Sequence, residues 1–369
     1  MKKALVIDWL DKFTGSERVI ASLDKIFAFD NVYTLISVMN EEDIKKTLPK
    51  HKGKIEQTKL KYFGSFFRYL FFIFHHLIGL IKIDKNIELI ISSSHSVAKG
   101  VKKSSKQLHI CFFQAPNFNY IWDHYNLFFG KLKYIIHPLI ILLRRIDFKQ
   151  AQRPDYIVAN SNYVKNWIRE KYNRDSIVIY PPVDLNSFQL NTVKEDYYIA
   201  IGRIATIKRF DIIIEAFNKN KKKLIIIGDG EQFEKMKEMA SSNIEFKGFL
   251  ESIEINKYVS KAKAFIQVGI EGFGIAPIEA QACGTPIIAY GKGGVLETVV
   301  DKLTGLFFDE QSVNSLLQAI EKFETMKFNP VLIRDNALKF STEKFEEEVK
   351  NFVFDKYQIF KENQKLNIN

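Results

Sequence analysis

The segment Val268-Gly269-Ile270-Glu271-Gly272-Phe273-Gly274-Ile275-Ala276-Pro277-Ile278-Glu279-Ala280-Gln281-Ala282-Cys283-Gly284-Thr285-Pro286 reads as the end of a strand, a glycine loop, a helix and a stop. Pro277 suits the first turn of a helix, Gly284 the residue just past its end, and Pro286 prevents continuation. A loop opening a helix in this way presents backbone N–H groups at the positive end of the helix dipole, where a phosphate is favoured. Gly272 and Gly274 let a ligand lie close to the backbone. Glu279 is expected in the first helical turn and Glu271 at the start of the loop, so two carboxylates flank one anion site. Carboxylates repel phosphate and accept hydrogen bonds from hydroxyls, such as those of a ribose or a hexose. Taken singly, Glu279 could as well complement the helix dipole.

The same alternation recurs outward from this segment. Short apolar runs at 4–8, 32–37, 88–92, 108–113, 156–160 and 176–180 are separated by amphipathic or turn-rich stretches, and the rhythm resumes at 197–201, 223–227, 244–247, 264–268, 286–290 and 305–308. Strands alternating with helical patterns give βαβ units and parallel sheets. Between the two series, the tandem prolines of Tyr180-Pro181-Pro182-Val183-Asp184 make a stiff connector that interrupts any helix or strand. The expected organisation is two α/β domains, residues 1–186 and 187–369. Near the end, Phe345, Val349, Phe352 and Ile359 recur at roughly helical spacing and predict a closing helix that can pack back on the first domain.

A chain of 369 residues is longer than one hydrophobic core usually serves, which also favours two domains with a cleft between them. With 46% hydrophobic and 26% charged residues the chain is a folded one rather than a disordered one. Cys111 and Cys283 stand far apart without CxxC or Cys/His spacing, against a disulfide framework or a structural zinc site. Two isolated cysteines fit a reducing, cytoplasmic setting, and the four apolar residues before Asp8, too few for the core of a signal peptide, are expected to form a first buried strand. The net charge of +11 is uneven: residues 1–185 hold 29 Lys and Arg against 17 Asp and Glu, and the remainder 25 against 26. An anionic partner for the first half follows, whether a membrane surface, a lipid diphosphate or nucleic acid; a solvated lysine-rich face fits equally.

Three further loops follow apolar runs. Gly202-Arg203-Ile204-Ala205-Thr206-Ile207-Lys208 places two cations at the mouth of a strand, Arg203 able to grip a diphosphate as a fork and Lys208 as a point charge. Gly228-Asp229-Gly230 and Gly291-Lys292-Gly293-Gly294 follow two more strands. In open parallel sheets, ligands bind at strand C-termini, where all four loops fall.

Glu271 and Glu279, set in Glu-Gly-Phe-Gly-Ile-Ala-Pro-Ile-Glu-Ala, together with Gly202-Arg203 and Lys208, resemble the retaining glycosyltransferases of family 4. The similarity extends in order through Thr14-Gly15-Ser16-Glu17-Arg18, the run 92–100, Asn160-Ser161 and the segment 180–184, and is nearest to mannosyltransferases of bacterial surface-polysaccharide and lipopolysaccharide assembly. The resemblance implies the GT-B fold, two facing Rossmann-like domains with parallel sheets. It implies a nucleotide-sugar donor, GDP-mannose first and a UDP-sugar second, with no metal. Arg203 and Lys208 would hold the diphosphate, Glu279 the ribose hydroxyls and Glu271 hydroxyls of the transferred sugar, with Gly202, Gly272, Phe273 and Gly274 supplying backbone contacts. His95 would stand near the reacting sugar and Gly15 near the donor from the N-terminal domain. The acceptor would be a glycan or a polyprenyl-diphosphate-linked sugar.

One position departs from the family pattern. In His109-Ile110-Cys111-Phe112-Phe113-Gln114-Ala115-Pro116, Gln114 stands where the family commonly has a histidine, and a glutamine cannot exchange a proton near neutral pH. The aromatic-rich stretch 62–82 and the apolar stretch 127–146, interrupted by Pro138, carry charges or histidines and make poor spanning helices. An interfacial helix suits the first, giving peripheral contact with the inner face of the cytoplasmic membrane; a buried helix is the alternative. Rival classes are weaker. No strand is followed by a complete GxGxxG of a nicotinamide-binding protein, and no helix-turn-helix or RNP-type signature accompanies the basic charge.

Overall fold

The computed structural model describes residues 1–116 and 121–366. Residues 117–120 of the aromatic segment after Gln114, and the last three of the Lys- and Asn-containing tail, lie outside that description. The chain divides into two compact units, Met1–Pro182 with Phe345–Asn369, and Val183–Lys344.

The first unit is built on a parallel sheet of β1 (Lys3–Ile7), β2 (Asn31–Thr34), β3 (Ile55–Gln57), β4 (Leu89–Ser94), β5 (Leu108–Phe113), β6 (Tyr156–Ala159) and β7 (Ile177–Val178), in the order β3-β2-β1-β4-β5-β6-β7. The central strands β4 and β5 are buried along their whole length, which is why they read as continuous apolar runs rather than alternating ones. At the C-terminal end of β4 the run turns polar, and the three buried serines find local partners. Ser92 Oγ lies 2.7 Å from His109 Nε2 on β5, and Ser93 Oγ accepts from Gln114 Nε2 at 3.0 Å. The strand β3 escapes sequence reading because Ile55-Glu56-Gln57 lies on the sheet edge, half-buried at best, and has no apolar pattern to display. The helix Thr342–Leu366 closes this unit: Phe345, Val349 and Val353 join the core of Leu5, Ile7 and Leu89, and Tyr357 donates to Glu88 at 2.6 Å.

The second unit carries β8 (Tyr198–Ile201), β9 (Leu224–Ile227), β10 (Ile244–Phe246), β11 (Ala264–Gln267), β12 (Ile287–Tyr290) and β13 (Gly305–Phe308), again all parallel, in the order β10-β9-β8-β11-β12-β13. In each sheet the order reverses once at its centre, between β1 and β4 in the first and between β8 and β11 in the second. At such a reversal the connecting helices leave on opposite faces of the sheet, opening a crevice at the strand C-termini where ligands of doubly wound folds bind.

Candidate functional site

In the second unit the reversal is where the candidate residues gather. Beyond β11, Gly269 lies so close to the loop that follows β8 that an added Cβ would stand 2.7 Å from Lys208 Cα. Only a glycine permits that approach, and it brings Glu271, two residues on, to Lys208: Glu271 Oε1 is 2.6 Å from Lys208 Nζ. Gln267 Nε2, at the end of β11, donates to the same oxygen at 3.0 Å. Burial pushes the Glu271 carboxyl upward, but the charge of Lys208 and the hydrogen bonds from Lys208 and Gln267 outweigh it and hold the group below the usual glutamate range. The loop after β12 completes the cradle, Gly294 N–H donating to the carbonyl of Glu271 at 2.9 Å.

The helix of this segment runs Ile275–Ala282, with Gly274 (φ 96°, ψ 80°) at its N-cap and no side-chain cap. Pro277 falls in its first turn and Gly284 (φ 71°) just past its end, as the sequence reading expects. Glu279 does not fall in the first turn, which is a correction: the helix starts at Ile275, so Glu279 is its fifth residue and is buried. Proline's preference for the first helical position points to a start at Pro277, whereas the left-handed Gly274 caps a helix that begins two residues earlier, at Ile275. Phe273 is buried edge-on to Phe340, their centroids 5.6 Å apart, and serves as a packing anchor for the loop. Gly202 and Arg203 directly follow β8, and Arg203 is exposed, with no ion pair among the described residues. Its neighbour Arg209 is engaged instead with Asp211 (2.9 Å) and Gln311 (3.2 Å).

At the reversal of the first sheet the decisive residue is one that sequence reasoning treated only as the end of a strand. Asp8, completely buried after β1, accepts four backbone hydrogen bonds from the loop that follows β4: His95 N (2.7 Å) and Ser96 N (2.9 Å) on Oδ2, Val97 N and Ala98 N (both 2.6 Å) on Oδ1. His95 Nδ1 stands 3.4 Å from Asp8 Oδ2, and its ring meets Trp9 edge-on at 4.3 Å. His95 is thus fixed by Asp8 below and Trp9 beside it. An acid closing an apolar run was the only available signal. Gln114, at the end of β5, is occupied on both sides: its side chain donates to Ser93, and its carbonyl accepts from Asn160 Nδ2 at 2.6 Å. Gly15 is the first residue of the helix Gly15–Phe27, whose capping box joins Thr14 to the buried Glu17 (Thr14 N to Glu17 Oε2, 3.0 Å).

In the second unit, then, Gly202, Arg203, Lys208, Glu271, Phe273 and Gly274 lie on loops at the C-terminal ends of β8 and β11, and in the first unit His95 holds the equivalent place. A cation paired with a carboxylate, beside a helix whose N-cap is a glycine, can take a diphosphate at one end and sugar hydroxyls at the other.

Two doubly wound parallel sheets of seven and six strands are the architecture of GT-B glycosyltransferases. The Anabaena protein HepE in complex with UDP shares it, with a TM-score of 0.67 and 15% identity over 96% of this chain and all of that one. Residues 183–340 match the family described as Glycosyl transferases group 1. Among relatives, an uncharacterized glycosyltransferase of Methanocaldococcus jannaschii is 30% identical over 182 residues, 48% of this chain and 52% of its own length. The O-antigen chain mannosyltransferase RfbU of Salmonella typhimurium is 34% identical over 154 residues, 37% of this chain and 42% of its own. The chain spans about half the length of the curated relatives it matches.

Proposed function

We propose that this protein is a retaining glycosyltransferase that moves a hexose, mannose from GDP-mannose, onto a lipid-linked or oligosaccharide acceptor in surface-glycan synthesis on the cytoplasmic side. The observation that carries the reading is the Lys208–Glu271 pair at the reversal of the second sheet. Lys208, Arg203 and the N-terminus of Ile275–Ala282 stabilise the charge that develops on the departing diphosphate, a preorganised electrostatic role. Glu271, kept ionised by Lys208, accepts hydrogen bonds from hydroxyls of the transferred sugar and is too weak a base to remove the acceptor's proton. Glu279 takes the ribose, Gly272, Phe273 and Gly274 contribute backbone to the donor, and His95 and Gly15 serve from the first unit. Mannose is favoured by the relationship to an O-antigen mannosyltransferase; a UDP-sugar is the second reading, favoured by the UDP held by HepE.

A panel of GDP- and UDP-sugars, assayed for transfer and for donor hydrolysis, tests both readings. GDP-mannose should be turned over fastest, and Lys208→Ala and Glu271→Ala should each slow it by about a hundredfold or more. Full activity in both variants would refute the site, whereas faster turnover of a UDP-sugar would select the second donor.

A further inference from the structure

The two apolar stretches of the first unit pack on each other and turn their other faces outward. Lys59–Ile73 is an irregular 3-10 segment broken at Gly64 (φ 49°) and continues into the helix Phe74–Leu80; Lys133–Ala151 is the second element. Their inner faces share one core, with Phe67 and Phe74 against Ile140 and Leu143, and Phe71 lies 5.7 Å from Phe129. Outward stand Tyr62 (78% exposed), Phe66 (70%), Tyr69 (77%), Tyr134 (76%) and Ile135 (78%), a grouping of exposed apolar side chains of the kind that marks an interaction face. The charge is one-sided: from 59 to 82 there is no acid, and from 125 to 151 the only one is Asp147, which is wholly buried. Lys59, Lys61, Lys131, Arg145 and Lys149, on or directly beside the same two elements, are exposed, with Lys61 Nζ 5.3 Å from the Tyr62 ring.

Both Lys59–Leu80 and Tyr125–Ala151 are long and apolar enough to cross a bilayer by composition, yet the fold forbids it. Asp147 is tied to Lys99 (2.7 Å), Trp122 Nε1 (2.8 Å) and the Tyr172 hydroxyl (2.6 Å), so the end of the long helix, which runs unbroken through Pro138, is locked into the protein core, and Gly64 breaks the first element. Held by their inner faces, these elements can offer a membrane only their outer ones.

Resting on the transferase reading, we propose that these two elements form a single bilayer-docking face, with rings in the headgroup zone and the lysines and arginines on anionic lipid phosphates. The position serves the acceptor. Phe67 and Phe74 lie 5.6 and 5.8 Å from Trp9, whose ring holds His95, so a lipid-linked sugar at this face arrives beside the reversal of the first sheet.

The test is flotation of the full chain with vesicles of phosphatidylcholine alone, or of phosphatidylcholine and phosphatidylglycerol in equal parts, without donor or acceptor. Binding is expected on the anionic vesicles only, falling with salt and released by alkaline carbonate. The triple variant Tyr62→Ser/Phe66→Ser/Tyr69→Ser, and separately Arg145→Glu/Lys149→Glu, should each weaken it by at least about tenfold, since each cation near an anionic surface is worth roughly fivefold. Both variants should keep the wild-type thermal shift on adding nucleoside diphosphate. Undiminished binding in both variants overturns the proposal, and so does equal binding to both vesicle types, resistance to carbonate, or a lipid-free dimer that the ring variant abolishes. Loss of the nucleotide shift in wild-type protein that still floats would sink the transferase reading and leave the docking face standing.

Discussion

The two sheets reverse their strand order at equivalent places, but the groups found there are opposite in kind. Between β8 and β11 the protein sets a cation against a carboxylate, leaves the exposed Arg203 at the strand end, and opens a helix on a glycine with no side-chain cap. Between β1 and β4 it gathers four backbone N–H groups, a ready-made anion cradle, and fills it with its own Asp8. Topology supplies a crevice in both units; which charges the sequence places there decides whether the crevice receives an external anion or fixes an internal loop. The first unit fills its anion site with Asp8 and so fixes the His95 loop, whereas on the proposed transferase reading the corresponding place in the second unit goes to a ligand.

The sharpest way to break that contrast is to empty the first cradle. Asp8→Ala leaves four buried N–H groups without their carboxylate, and unfolding of the first unit should become easier by about 3 kcal/mol or more, because hydrogen bonds to a charged acceptor are the costly ones to lose. Hydrogen exchange resolved by unit checks this: protection should fall across β1, β4 and β5 and stay unchanged in β8–β13. Formate should restore part of the lost protection in the variant and none in wild type, since a small carboxylate can enter the vacated cradle. A loss spread evenly over both units would mean that Asp8 is merely a core residue.

Acid provides a second, gentler separation. All seven histidines lie in the first unit and none in the second. His109 on β5 is completely buried, and burial first, then Lys103, Arg153 and Arg174, pushes its pKa down from 6.5 to about 3. Burial likewise lowers His75, with Lys99 assisting against an opposing Asp147. Because the folded pKa of His109 lies below the unfolded one, the unfolded state binds the proton more tightly. Stability present above about pH 6.5 is therefore lost as pH falls toward 3, by about 1.4 kcal/mol per unit for this group. The first unit should melt at higher pH than the second during acidification, and His109→Gln should flatten the dependence; identical acid midpoints for both units would contradict the assignment.

How much of this was legible in the sequence follows from where each signal lives. Twelve of the strands stand out as short apolar runs, most of them buried, whereas β3, on a sheet edge, offers no such pattern. The glycine loop and its helix are legible because Gly274, Pro277 and Gly284 each answer a local backbone need, although the same local rule misplaced the helix start and with it Glu279. Asp8 was not legible as the keystone of the His95 loop: its partners are backbone groups some ninety positions away, and backbone N–H groups leave no trace in residue identity. The pairing of Lys208 with Glu271 was half visible. Each was marked for chemistry, but that they meet depends on Gly269 having no side chain to keep the two loops apart.

The smallest expected effect is also the one that most narrowly sharpens the comparison. Arg203 is exposed and Lys208 is paired, so the two cations of the second crevice should differ when removed. Arg203→Ala should leave thermal stability unchanged and weaken nucleoside diphosphate binding by about tenfold, the worth of one charge-assisted hydrogen-bonding fork. Arg203→Lys should recover only part of that, since an ammonium restores the charge without the fork. In Lys208→Ala the binding loss carries a second consequence: Glu271 is left with its burial and only Gln267 to offset it, so its pKa should climb above the ordinary glutamate value. A carboxyl-carbon NMR titration of Glu271 in both variants separates the roles, with an upward shift in Lys208→Ala and none in Arg203→Ala. Equal shifts would mean that the two cations act on Glu271 alike, and that the second crevice, like the first, is organised around its own carboxylate rather than around a ligand.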